Sequence, residues 1–126
     1  MSELDFGIRT AGLDCDAFIV SVNGEADAYN APELEQALQG VLALGGTTVA
    51  VDMVDVTFVD STVLSVLVRY RGRFKTLGGE CVIVTDDRRV LRTFEVTGLD
   101  KTFVIERRLS DAIAGILPAG SSSNGA

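Results

Sequence analysis

The stretch Thr48-Val49-Ala50-Val51-Asp52-Met53-Val54 is apolar with little alternation. That is the pattern of a strand covered on both faces of a sheet, so it predicts a central, parallel strand. The chain then runs through Asp55-Val56-Thr57-Phe58-Val59 to an acid and two hydroxyls, Asp60-Ser61-Thr62. A helix is expected from about Ser61 to Thr76, because Val63, Leu64, Leu67, Tyr70, Phe74 and Leu77 recur at steps of three and four. Arg69, Arg71, Arg73 and Lys75 crowd its last turns, where the helix dipole is negative. Gly78-Gly79 stop it, and Cys81 to Thr85 forms the next apolar strand. Strand, helix and strand within this span make a crossover with parallel strands.

Working outward, Leu4 to Ile8 and Ala17 to Val22 read as two strands of a hairpin joined by Thr10-Ala11-Gly12-Leu13-Asp14. Gly24-Glu25-Ala26-Asp27 reads as a loop, and Asn30-Ala31-Pro32-Glu33 opens a helix, with Asn30 as cap, Pro32 in the first turn and Glu33 as in a capping box. Leu34, Ala37, Leu38, Val41 and Leu42 give that helix its apolar face, ended by Gly45-Gly46. Downstream, a helix is expected over about Asp87 to Val96, an edge strand at Phe103-Val104-Ile105 and a last helix from Leu109 to Leu117. The sum is an α/β domain over residues 1–117, with a mixed, mostly parallel sheet of about five strands and about four helices. Residues 118–126, rich in Ser and Gly, form a polar tail too poor in apolar groups to fold.

At 126 residues the chain fits one domain with a single core. A net charge of −7 offers no basic field to replace the counterions of nucleic acid, and instead suits basic surfaces on partner proteins. Thr47 to Val68 is apolar enough to suggest a membrane span, but it contains Asp52, Asp55 and Asp60. Three carboxylates at mid-membrane would cost about 8 kcal/mol, which rejects the span. The opening MSELDFGIRT has no basic region followed by an apolar run, so no secretory signal is expected and the protein is expected to be cytoplasmic. Cys15 and Cys81 are then expected to be reduced and unpaired, with a redox-sensing pair as the alternative.

The chain contains no His, which removes Ser-His-Asp and Cys-His catalysis and any histidine-ligated metal. At the strand-to-helix junction, Ser61 or Thr62 is most simply an N-cap. A nucleophile elbow is the sharper alternative, but its flanking glycines and a His base are missing. Asp52, Asp55 and Asp60 could suggest a magnesium or phospho-acceptor site, and are more simply strand-end and turn residues. Neither G-x-x-x-x-G-K-[ST] nor G-x-G-x-x-G is present, so nucleotide binding by those routes is unsupported; no metal, cofactor or small-molecule substrate is expected. Arg88, Arg89 and Arg92 read as a solvated helix face, with contact to a partner as the alternative.

Several separated stretches agree in order and spacing with one known family: Gly24-Glu25-Ala26-Asp27, Ala31-Pro32-Glu33-Leu34, Val51-Asp52-Met53, Val56 to Leu64, Gly78-Gly79-Glu80, and Phe94-Glu95-Val96-Thr97-Gly98-Leu99. Over about residues 4 to 117 the chain resembles the STAS domain of bacterial anti-sigma factor antagonists. The resemblance implies a non-enzymatic protein whose unmodified form binds an anti-sigma factor with serine kinase activity and thereby releases a sigma factor for transcription. It implies phosphorylation at Ser61, with Thr62 ranked behind it as acceptor, and a serine phosphatase as the partner that resets the switch. The partner-binding residues it implies are Glu25, Asp27, Asp60, Ser61, Thr62 and Val63. The family pattern D-S-[ST]-G-L has a glycine where this chain carries Val63, whose branched side chain is expected to hinder close approach of a partner or alter which kinase docks. The runner-up is a STAS scaffold in a stress-signalling or transport complex that is never phosphorylated, and a third reading is a sensor built on Cys15 and Cys81.

Overall fold

The computed structural model describes residues 6–13 and 16–117. Five strands form one sheet in chain order: β1 (Gly7–Gly12), β2 (Ala17–Ala26), β3 (Thr48–Val59), β4 (Cys81–Val84) and β5 (Val104–Glu106). β1 is antiparallel to β2, and β2 to β5 run parallel. Four helices connect or follow them: α1 (Ala31–Ala43), α2 (Ser61–Thr76), α3 (Arg88–Val96) and α4 (Leu109–Ile116). This is the α/β architecture expected, with β3 in the middle of the sheet.

The unbroken apolar run in β3 has a direct cause. Val49, Val51 and Met53 face one side, where they pack with Leu34 and Leu38 of α1, Leu67 and Phe74 of α2, and Val90 and Phe94 of α3. Ala50 faces the other side, and with Ile19, Val82 and Val84 it meets Ala112 and the half-buried Leu109 and Ile113 of α4. Both faces are therefore dry, and alternation disappears from the sequence. Cys81 belongs to the larger cluster, and burial pushes its thiol up to about 12. It is a free thiol; Cys15 lies outside the described residues. Gly79 is fixed by the close approach of Thr47, whose carbonyl oxygen would sit 1.5 Å from any added Cβ.

The structure corrects the sequence reading at the strand ends. β1 runs on to Gly12 rather than ending at Ile8, because its ladder matches Gly7 to Asn23 and Gly12 to Phe18. The expected strand residues Leu4 and Asp5 and the expected tail, residues 118–126, lie outside the described residues. β2 continues through Gly24, Glu25 and Ala26, which read as a loop, because these residues pair with Val56, Phe58 and Val59. β3 accordingly reaches Val59 instead of stopping at Val54. Two register shifts, between Ser21 and Asn23 and between Gly24 and Glu25, each accommodate one extra residue on β3. Such bulges bend the strand and increase its twist. A short 3-10 turn, Leu99–Lys101, was not foreseen.

Strand lengths decide where the site sits. β4 pairs with β3 only from Val49 to Asp52, while β2 follows β3 as far as Val59. The last third of β3 and the end of β2 therefore project beyond the rest of the sheet as a two-stranded ribbon.

Candidate functional site

The ribbon ends at Asp60, whose N–H donates to the carbonyl of Ala26 at 3.2 Å. That bond sets Asp60 beside Ala26, which is flanked in the chain by Glu25 and Asp27. Asp60 has extended backbone and is the N-cap of α2. Its Oδ1 accepts from the N–H groups of Thr62 (3.0 Å) and Val63 (3.1 Å), and its Oδ2 accepts from the Ala28 N–H (2.8 Å). One carboxylate thus closes the open end of α2 and ties it to the loop between β2 and α1. The expectation that Ser61 or Thr62 caps the helix is overturned, since Asp reaches the second and third N–H groups at ideal distance from the position before them.

Ser61 is therefore the first residue inside the helix. It is exposed, as is Thr62, and neither hydroxyl takes part in the cap. Val63 is buried, with 1% of its surface accessible, within the core cluster that holds Leu64 and Leu67. Its side chain packs inward, away from the exposed hydroxyls of Ser61 and Thr62. The family position is occupied, and the surface beside Ser61 is left open.

The loop carrying the other acids is stitched by short bonds. Asn30 Nδ2 donates to the Glu25 carbonyl (2.9 Å), so this side chain does not cap α1 as expected. Asp27 does part of that work: its carbonyl accepts from Asn30 (3.0 Å) and Ala31 (2.9 Å), and its Oδ1 accepts from Asn30 (3.1 Å). Glu25 remains exposed and Asp27 half-buried. Gly24, at φ 100°, stands at the second register shift, in a backbone conformation that disfavours side chains.

Two residues of this surface escaped the sequence reading. Tyr29 projects from the loop with 88% exposure, and Phe58, opposite Glu25 on the ribbon, is 47% exposed. An aromatic in an otherwise polar loop was a signal for Tyr29; Phe58 lay in an apolar run and gave none. Exposed aromatics next to acids make a surface suited to a protein partner with apolar and basic groups. Among the described residues no group of His, Cys, Asp and Glu could hold a metal ion, and no helix is long and apolar enough to cross a membrane.

Comparison with known proteins points to one family. A family model described as the STAS domain matches residues 11–112. The chain is 34% identical over 106 residues to the anti-sigma-B factor antagonist of Listeria monocytogenes, covering 82% of this chain and 90% of that one. It is 36% identical over 80 residues to the anti-sigma-B factor antagonist of Bacillus subtilis, covering 64% and 72%. The crystal structure of an anti-sigma factor antagonist from Mycobacterium paratuberculosis is similar with a TM-score of 0.80, at 30% identity over 89% of this chain and 94% of that one.

Proposed function

The chain belongs to the STAS domain family, and on that premise we propose that it is an anti-sigma factor antagonist, working by reversible binding and switched off by phosphorylation at Ser61. In the unmodified form it docks an anti-sigma factor that is also a serine kinase, so that a sigma factor is set free; a serine phosphatase restores the docking-competent form. The observation that carries this reading is the position of Ser61: exposed, inside the first turn of α2 and outside the cap that holds the turn together. A kinase can reach such a hydroxyl without unfolding anything.

The same cap explains why a phosphate would act on binding. A phosphate at a helix N-terminus ordinarily takes the free N–H groups there. Here Asp60 already occupies those of Thr62 and Val63. An added charge of about −1.5 to −2 would therefore face the Asp60 carboxylate and stay directed outward, toward the partner. Placed in a docked interface beside Glu25, Asp27 and Asp60, it costs several kcal/mol through like charge and desolvation, and each 1.4 kcal/mol is tenfold in affinity. Glu25, Asp27, Asp60, Ser61 and Thr62 form the recognition surface, and Val63 contributes its core packing.

The test is phosphosite mapping with the kinase that co-purifies with the protein. Wild type should incorporate phosphate at Ser61, and Ser61→Ala should fold and still bind its partner while incorporating none. Full labelling of Ser61→Ala at another residue would overturn the site, and partner binding by a protein never labelled in cells would make it a constitutive scaffold.

A further inference from the structure

A second surface is unlike the rest of the molecule. The chain carries a net charge of −7 and 11 Lys and Arg residues in all. Yet Arg88, Arg89 and Arg92 of α3 and Arg107, at the end of β5, surround one open cleft of about 660 Å³, with Asp86 and Glu95 as the acids in its wall. Arg89 is held by Asp87 at 2.9 Å and Arg107 by Asp86 at 3.2 Å. Arg88 and Arg92 have no ion pair among the described residues, and both are exposed.

The arginines adjoin an apolar hollow. On the other side of Arg89 and Arg92, a shallow depression of about 360 Å³ is lined by Thr93, Val96 and Thr97. Val96 is 74% exposed, although α3 fixes itself to the core through Val90 and Phe94. Nothing in the packing of the domain requires an arginine pair and a bare valine side by side on this face. A positive ridge between a charged cleft and an apolar hollow is complementary to a segment that carries carboxylates beside an apolar side chain.

We propose that α3 and Arg107 form a second docking surface, separate from the Ser61 platform, for an acidic segment of a partner protein bearing an apolar residue. A polynucleotide is the poorer fit, because its continuous charge would meet the acidic remainder of the surface. The two surfaces share no residue, so a partner can be held here whatever the state of Ser61.

Fluorescence anisotropy with a labelled peptide of glutamate pairs alternating with leucine tests this on the full chain. The peptide should bind wild type and Ser61→Glu equally, weaken as sodium chloride is raised to roughly 0.5 M, and lose about tenfold or more in affinity to R88E/R92E. Should that double variant unfold, chemical-shift mapping on wild type replaces it, with perturbation confined to α3 and Arg107 as the expected result. No binding by wild type, equal binding by a folded R88E/R92E, shifts elsewhere on the surface, or tighter arginine-dependent binding of a single-stranded oligonucleotide would overturn the proposal.

Discussion

The two halves of β3 are built on opposite principles. From Val49 to Asp52 the strand has neighbours on both sides, and Val49, Ala50 and Val51 are packed dry between the two layers of helices. From Val54 to Val59 it keeps β2 alone, and Val54, Asp55, Thr57 and Phe58 are exposed. The inner half is held by packing on both faces; the outer half keeps only Val56 and Val59 in the core, and its end is tied where the Asp60 carboxylate collects three N–H groups. Most of the packing lies in the first, and the proposed function assigns recognition to the exposed face of the second, where a change of charge leaves the core in place.

That contrast can be broken from either side. The largest effect is expected in the inner half: Phe74→Ala empties a fully buried site against β3 and should cost about 3–5 kcal/mol, read as a lower denaturant midpoint. In the outer half, Asp60→Ala removes the cap and the Ala28 bond together and should cost about 1–2 kcal/mol. Hydrogen exchange should rise at Ala28, Thr62 and Val63 and stay unchanged in β4. Asp60→Asn keeps an acceptor for the helix and should recover most of that loss. If Asp60→Ala destabilises the fold as much as Phe74→Ala does, the division between the halves fails.

The last effect is a pH slope, confined to alkaline conditions. Folded Cys81 holds its proton up to about 12, against an ordinary value of 9.0. The folded state therefore binds the extra proton between those values, so the thiol's contribution is complete below about pH 9 and is lost as pH rises toward 12. Wild type should lose stability faster than Cys81→Ala across that window, and the two should run parallel below it. Native Cys81 should also resist alkylation at neutral pH, as a buried protonated thiol does.

The inner half was legible in the sequence because burial on two faces writes itself directly as Val49-Ala50-Val51 and Cys81-Val82-Ile83-Val84. The outer half was not. Gly24 and Glu25 look like a loop by residue type, and only their pairing with Val56 and Phe58 makes them strand. The cap was misread by one position because Ser, Thr and Asp all cap well, and sequence alone does not say which one has extended backbone. The proposal of Ser61 as acceptor rests on family resemblance, whereas the freedom of that residue from the cap required geometry. Val63 shows the reverse: a departure that looked functional in sequence is absorbed by the core.

The most direct test measures the affinity of the unmodified and the Ser61-phosphorylated protein for the co-purified anti-sigma factor by titration calorimetry, alongside thermal unfolding of both forms. The account predicts a loss of about 100-fold or more in affinity with an unchanged unfolding midpoint. Equal affinities, or a loss of binding that appears only with unfolding of the modified protein, would contradict it.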